Sequence, residues 1–166
     1  MRPALLLSLI LLSGCAGYHL GPTGGAKAGA RSVQVNFFQN KTPEPRLVTS
    51  LNAALRQHLV QDGTFKLDTH EQGDLVINGE ITQFKRSGVS FLPGDVVTAR
   101  DYNLILTAQI KVTERGTGKV VLDRLITGRT TIRVGNDLPS AERQAVPLLA
   151  DDLARNATAL LVDGTW

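Results

Sequence analysis

The residues that could carry chemistry are few and lie far apart in the sequence. The chain of 166 residues contains one cysteine and three histidines, namely Cys15, His19, His58 and His70. No carboxylate stands at a spacing that would orient a histidine as a general base, and no Cys/His cluster could hold zinc. Asp151 and Asp152 are adjacent on a predicted helix, where neighbouring side chains diverge by about 100°. The pattern argues against an enzyme and predicts neither a catalytic site nor a metal site.

The N-terminal segment has the features of an export signal. Arg2 supplies a positive charge, residues 4–12 form an apolar run, and Ser13 and Gly14 are the small residues that a signal peptidase requires. A helix of this length spans about 14 Å, whereas a hydrocarbon core is about 30 Å thick. The segment is therefore predicted to be a signal peptide, residues 1–14, and not a transmembrane helix.

Cys15 stands at the end of this signal, and the four residues Leu12-Ser13-Gly14-Cys15 resemble a bacterial lipobox. The resemblance implies that Cys15 is diacylated on sulfur and becomes the new N-terminus, so the only cofactor expected is this covalent lipid. The alternative is a signal peptide cut elsewhere, which would leave an exported free thiol.

Acylation would hold the protein on a membrane, since two or three acyl chains bind far more strongly than one. Bacterial lipoproteins with an aspartate after the cysteine stay in the inner membrane, and this chain has Ala16 there. By resemblance to that sorting pattern, we expect a lipid anchor in the outer membrane of a Gram-negative bacterium. The glycine-rich residues 15–31 then form an acylated, flexible tether. A formal charge of +3 without a basic tail gives no indication of nucleic-acid binding.

Residues 32–166 are predicted to form a single α+β domain. Apolar and polar residues alternate along residues 33–37, 65–67, 74–84, 101–114 and 119–133, which predicts four strands and leaves residues 65–67 open as a short edge strand. The third of these ranges places Leu75, Ile77, Gly79 and Ile81 on one face. The fourth and fifth form a hairpin. The order β-α-(β)-β-β-β-α predicts two helices packed on one face of a mainly antiparallel or mixed four-stranded sheet.

Two helices are predicted from apolar residues at helical spacing. The first follows Pro43 or Pro45 and ends at Gly63, and His58 is interpreted as a residue at the boundary of its buried face. The second opens near Pro139 and Ser140. Pro147 either kinks this second helix or marks its true start.

Three segments carry a family resemblance. They are Cys15-Ala16-Gly17-Tyr18-His19-Leu20, the strand 33–37 followed by Asn40, Thr42, Glu44 and Pro45, and the strand 74–81. They resemble the lipopolysaccharide-assembly lipoprotein family, with Ala16 inserted into the family's usual start. The resemblance implies a two-helix, four-stranded domain that plugs a large outer-membrane β-barrel and helps it to assemble. It also implies assistance in inserting lipopolysaccharide into the outer leaflet.

The predicted hairpin carries many polar side chains on the face that points away from the helices. These are Asn103, Thr107, Gln109, Lys111, Asp123, Thr127 and Arg129. Such a face suits the polar lumen of a large barrel, and a solvated sheet face is the alternative. A free-standing periplasmic lipoprotein that binds a lipid or glycan is the alternative function. Five Phe, two Tyr and one Trp are few for such a pocket.

Four cations stand where predicted strands give way to loops, namely Lys85, Arg86, Arg100 and Arg133. Antiparallel pairing would bring them toward one end of the sheet, where the phosphates of lipid A could bind clustered cations. The tip of the intervening loop lacks the basic residue of the family pattern. Direct contact with lipopolysaccharide is therefore a hypothesis, and the alternative is that these charges only solubilise the loop ends.

Overall fold

The structure, a computed structural model, describes residues 29–92, 94–134 and 137–164. The predicted signal peptide, Cys15 and most of the predicted tether therefore lie outside the described residues. The elements in chain order are β1 (Arg31–Val35), β2 (Gln39–Asn40), α1 (Arg46–Asp62), β3 (Phe65–Asp68), β4 (Leu75–Leu92), β5 (Asp95–Glu114), β6 (Val120–Arg133) and α2 (Leu138–Val162). In these ranges, neither helix has the length and apolarity needed to cross a membrane.

The strands form one mixed sheet in the order β3-β1-β4-β5-β6, and β2 pairs with β4. β1 runs parallel to β3 and β4, whereas β4, β5 and β6 are antiparallel neighbours. This confirms the predicted α+β class with two helices and a mixed sheet. The sheet has six strands rather than four, because β3 and the two-residue β2 both join it. β4 also continues past residue 84. The sequence there lacks apolar alternation, and backbone pairing with β5 holds this part of the strand in place.

The first helix forms as its leucine spacing predicts. Leu47, Leu51, Leu55 and Leu59 recur at every fourth position and are all buried against the sheet. The helix ends at Gly63, whose φ of 75° lies in the left-handed region. The Gly63 N–H donates to the Leu59 carbonyl oxygen, so the terminal carbonyl is satisfied.

The second helix begins at Leu138 and contains Pro147 within its length. The interpretation that Pro147 starts the helix is therefore wrong. The Asp137 side chain accepts a hydrogen bond of 2.7 Å from the Ser140 N–H and caps the start instead. Pro147 has no N–H, so the Arg143 carbonyl lacks its usual helical donor.

The core lies between the two helices and one face of the sheet. On β4 the buried side chains include Leu75, Ile77 and Ile81, and on β5 alternate residues from Leu104 to Val112 are buried. Both faces are those predicted from alternation. Gly79 leaves room for a neighbour, because a Cβ atom there would lie 2.2 Å from the ring of Phe38.

The second helix lies very close to β6, which is an edge strand of the sheet. A Cβ atom on Gly128 would lie 2.6 Å from the Leu149 carbonyl oxygen, so the backbones approach directly. Beside this contact, Asp152 accepts a 2.9 Å hydrogen bond from the Arg129 N–H, and Asn156 donates a 2.9 Å bond to the Thr127 carbonyl. Side chains of α2 thus form hydrogen bonds with backbone N–H and C=O groups of β6 that have no partner strand.

Hydrogen bonds lower the pKa of several carboxyl groups, and these should make stability depend on pH. The Ser32 N–H and hydroxyl each donate to Asp74 at 2.8 Å and hold the pKa of Asp74 below its ordinary value. The pKa is also lowered at Asp68, Asp101 and Asp137. A lowered folded-state pKa stabilises the fold above the unfolded value of about 3.9. This contribution is lost as pH falls through the folded pKa.

We therefore expect a melting temperature that is steady above about pH 5 and falls as the pH drops below about 4. Thermal unfolding followed by circular dichroism across this range measures the effect. Asp74→Asn should flatten the acid limb of the curve. A melting temperature equal at neutral and acidic pH would contradict the prediction.

Candidate functional site

The face of the sheet opposite the helices is a broad polar surface, called here the outer face. The β5–β6 register places Asn103 opposite Thr131, Thr107 opposite Thr127, and Lys111 opposite Asp123. All seven polar residues predicted for this face alternate with buried residues and therefore lie on it: Asn103, Thr107, Gln109, Lys111, Asp123, Thr127 and Arg129. The outer face spans three long strands and offers donors and acceptors along its length.

Many outer-face side chains bond to one another. Arg115 donates to the side-chain oxygen Oε1 of Gln34, the Gln34 side-chain amide donates to Asn36 Oδ1 at 2.6 Å, and the Asn36 side-chain amide donates to Asn78 Oδ1 at 2.9 Å. Gln109 donates to Asp123 across the β5–β6 pair. The Asn36–Asn78 and Gln109–Asp123 bonds join neighbouring segments of the sheet, whereas the Gln34–Asn36 bond lies within one segment. The outer face is therefore a pre-organised polar surface.

Lys85, Arg86 and Arg100 lie within strands and not at strand–loop junctions as predicted, because β4 continues to Leu92 and β5 begins at Asp95. Arg133 ends β6 as predicted. All four stand in the half of the sheet nearer the β4–β5 turn, called here the cationic end. Lys85 stands opposite Ile105, Arg86 opposite Leu104, and Arg133 opposite Asp101, the neighbour of Arg100. Because successive side chains of a strand point to opposite faces of the sheet, the four cations are divided between its two faces. Arg86 shares the face of the buried Leu104 and pairs with Glu142 of α2 at 2.7 Å, whereas Arg133 pairs with Asp101 at 2.8 Å on the outer face.

Two of the four cations are thus partly neutralised. The Arg133 guanidinium and, secondarily, the Ser90 hydroxyl hold the pKa of Asp101 below its ordinary value. The hydrogen bond that Arg86 donates to Glu142 raises the pKa of Arg86, and the bond that Arg133 donates to Asp101 raises the pKa of Arg133, so both arginines stay charged. Lys85 and Arg100 make no ion pair with the described part of the chain. Both can bind an anionic ligand without breaking an ion pair, although the charge of Arg100 also helps to lower the pKa of Asp101.

This cationic end lies far from the point where the described chain begins. The Gly29 N–H donates to the Thr64 carbonyl, and Arg31 pairs with Glu114 at the opposite end of the sheet. Glu114 and Leu104, which faces Arg86, are separated by about 33 Å along β5. The described chain therefore begins at the end of the sheet opposite the cations.

The histidines occupy separate places. The His58 Nε2 atom lies 2.7 Å from Asp151 Oδ1 and joins α1 to α2, with the His58 side chain 20% exposed. Sequence reasoning missed this partner because 93 positions separate the two residues. His70 is exposed near Asp68, and His19 lies outside the described residues. Within residues 29–92, 94–134 and 137–164, no three potential metal ligands gather.

A sequence comparison decides the family. The profile of the lipopolysaccharide-assembly family, LptE, matches residues 30–161, which is most of the chain and nearly all of the described fold. The chain belongs to the LptE family. LptE proteins are non-catalytic lipoproteins of the outer membrane that act in lipopolysaccharide assembly, and the resemblance stated from the sequence is confirmed.

Solved structures show how widely this LptE fold occurs. A Xanthomonas campestris protein aligns with a TM-score of 0.60 at 11% identity, covering 87% of this chain and 91% of its own. A hypothetical protein from Chlamydia trachomatis gives 0.58 at 11% identity, with 81% and 98% covered. A minor lipoprotein from Acinetobacter baumannii gives 0.54 at 16% identity, with 80% and 93% covered. At these identities the likeness concerns the fold alone. No curated protein sequence matches the chain.

Proposed function

We propose that the protein is a lipid-anchored outer-membrane lipoprotein that assembles with the β-barrel of the lipopolysaccharide export machinery and plugs its lumen. In this function it assists insertion of lipopolysaccharide into the outer leaflet. Membership of the LptE family supports the assembly role. The observation that carries the plug itself is the pre-organised polar outer face, since the interiors of large barrels are polar and often plugged.

The two layers of the domain suit a plug. The helices pack on one face of the sheet and complete the hydrophobic core. The fold therefore does not require another element of the chain to pack on the outer face. Several of its side chains are already ordered by hydrogen bonds, namely Gln34, Asn36, Asn78, Gln109 and Asp123. Binding then costs little additional side-chain entropy, which favours association with a polar wall.

Co-purification tests this assembly. Tagged, acylated protein is isolated in mild detergent from its own host, and the proteins retained with it are identified by mass spectrometry. We expect a large outer-membrane β-barrel. A free-standing domain that carries only lipid or glycan would overturn the proposal and favour the alternative function.

Two matched leucines test which face binds. Leu125 lies on the outer face and is 65% exposed, and Leu148 on α2 is 62% exposed. Leu125→Arg should reduce barrel recovery, whereas Leu148→Arg should leave recovery unchanged. The reverse result would place the contact on the helices.

The cationic end is proposed to contact lipopolysaccharide through Lys85, Arg86, Arg100 and Arg133. Replacing Arg86, Arg100 and Arg133 together by Glu should weaken binding of purified protein to lipopolysaccharide in a salt-sensitive way, because lipid A carries phosphates. Lys66, Lys119 and Arg124 are exposed cations outside this cluster, and the same charge change at these three positions is the control. Binding is measured at low and moderate salt.

The triple replacement also removes two ion pairs, so a second variant is needed. Lys85→Glu with Arg100→Glu leaves both the Arg86–Glu142 and Arg133–Asp101 pairs intact. Thermal unfolding checks that each variant is folded. If both variants bind lipopolysaccharide as the parent does, the cationic end has no part in the mechanism.

A further inference from the structure

The connection between β3 and β4 crosses over β1. In the sheet, β1 lies between β3 and β4 and runs parallel to both, although β3 and β4 follow each other along the chain. The residues that join them, 69–74, must therefore pass across one face of β1. This segment is called here the strap.

The strap lies on the outer face and touches β1 directly. Val33 and Val35 are buried in the core, so Gln34 between them lies on the outer face. A Cβ atom on Gly73 would lie 2.6 Å from the Gln34 backbone nitrogen, so the two backbones are in contact. Gln34 is polar and yet only 8% exposed. The strap therefore covers β1 at the point where it crosses.

Hydrogen bonds hold the strap in place. Asp74 accepts 2.8 Å bonds from the N–H and the hydroxyl of Ser32, and the Asp74 N–H donates a 2.9 Å bond to the Ser32 hydroxyl oxygen. Arg115, which follows β5, donates from Nε to the Gly73 carbonyl at 2.9 Å and from its backbone N–H to the Asp74 carbonyl at 2.8 Å. Bonds to a carboxylate or from a guanidinium are the stronger kind. The strap is therefore fixed both to β1 and to the end of β5.

The strap encloses β1 together with the rest of the fold. β3 and β4 flank its two edges, the core packs on its inner face, and the strap lies on its outer face. While the strap is closed, β1 can leave only by sliding along its own length. Further along the chain, Phe38 is buried beside Gly79, which leaves room for its ring. A pull from the N-terminal side would have to draw this ring out of the core and past the strap.

We propose that the strap makes β1 a load-bearing strand, which keeps the domain folded when the chain is pulled from its N-terminal side. The pull comes from the lipid anchor, so its source rests on the proposed function. The first strand of a domain frays easily unless it is tied down, and β1 has only five residues. A pull along β1 loads its bonds to β3 and β4 together, whereas lifting the strand would break them one at a time. The strap blocks lifting and leaves only the first route.

Single-molecule pulling tests the strap directly. The full chain is produced without acylation and carries one handle on the thiol of Cys15, its only cysteine. The second handle is attached to the thiol introduced by Val89→Cys. Val89 is exposed on β4, so the force enters the sheet through β1 and leaves it through β4. The lifetime of the folded domain at constant force is measured, because forced unfolding is governed by the unfolding rate.

Two variants loosen the strap, and a third is the control. Asp74→Ala removes the acceptor of both Ser32 bonds, and the lifetime should become about tenfold shorter, which corresponds to about 1.4 kcal/mol. Ser32→Ala keeps the bond from its backbone N–H to the Asp74 carboxylate and should shorten the lifetime less. Asp137 also accepts a bond from a backbone N–H, but at the start of α2 and outside the path of the force. Asp137→Ala should therefore leave the lifetime unchanged.

Two results would overturn the strap proposal. The first is a lifetime that neither Asp74→Ala nor Ser32→Ala shortens relative to the Val89→Cys parent. The second is equal shortening by the strap variants and Asp137→Ala, which would show a general loss of stability. Thermal unfolding checks that each variant is folded, and if Asp74→Ala does not fold, Ser32→Ala decides by the same criteria. The measurement needs neither acyl group nor barrel, so its failure is distinct from failure of palmitate labelling or barrel recovery.

Discussion

Replacing Leu106 by aspartate is expected to unfold the domain. Leu106 is completely buried on β5, near the middle of the sheet. A carboxylate there would have only apolar neighbours, and burying it unpaired costs several kcal/mol. A domain of this size is stable by about 5 to 15 kcal/mol, so this loss removes most of the free energy of unfolding. Thermal unfolding of the purified variant measures it.

The neighbouring position provides the control. Thr107 lies next to Leu106 on the same strand but on the outer face, opposite Thr127. Thr107→Asp should therefore keep a melting temperature close to that of the parent. Full stability of Leu106→Asp would show that the strand faces the other way.

The first helix allows the same comparison. Leu51 is completely buried in α1, whereas Ala53 on the same helix is exposed. Leu51→Asp is expected to unfold the domain for the reason given for Leu106, and Ala53→Asp is expected to fold. Equal melting temperatures for these two variants would contradict the packing of α1 on the sheet.

Replacing Cys15 by serine is expected to abolish membrane retention completely. Serine offers no thiol for diacylation, and each acyl methylene buried in the bilayer contributes about 0.8 kcal/mol to anchoring. Because the glycine-rich tether separates Cys15 from the folded domain in sequence, the domain should still fold. Fractionation of outer membranes and labelling with radioactive palmitate measure the two effects.

Ala16→Gly serves as the control for this experiment, since it changes the adjacent residue and keeps the thiol. It should be acylated and retained as the parent is. Continued palmitate labelling and unchanged outer-membrane fractionation of Cys15→Ser would contradict the lipoprotein assignment of that residue.

Elements with a long, uniform apolar pattern could be predicted from the sequence. The leucines of α1 repeat over four turns, and β5 alternates from Leu104 to Val112, so both faces follow from periodicity. β2 could not be predicted, because two residues carry no period. The part of β4 beyond residue 84 lacks apolar alternation and is ordered by pairing with β5.

The candidate site was predictable only in part, for a related reason. Strand alternation correctly placed the seven polar residues on one face, since it depends on local sequence. The partners of Arg86 and His58 lie on α2, 56 and 93 positions away, and no local pattern indicates them.

The contact of α2 with β6 matters most for a protein confined to a membrane surface. Copies of an outer-membrane lipoprotein diffuse in two dimensions, so they collide with similar orientations far more often than in free solution. An edge strand with free backbone groups would let such copies join into a continuous sheet. In the middle of that edge, the Arg129 N–H donates a hydrogen bond to Asp152, and Asn156 donates one to the Thr127 carbonyl. The helix thus interrupts the row of backbone groups that a second copy would need, which disfavours edge-to-edge pairing of copies at β6.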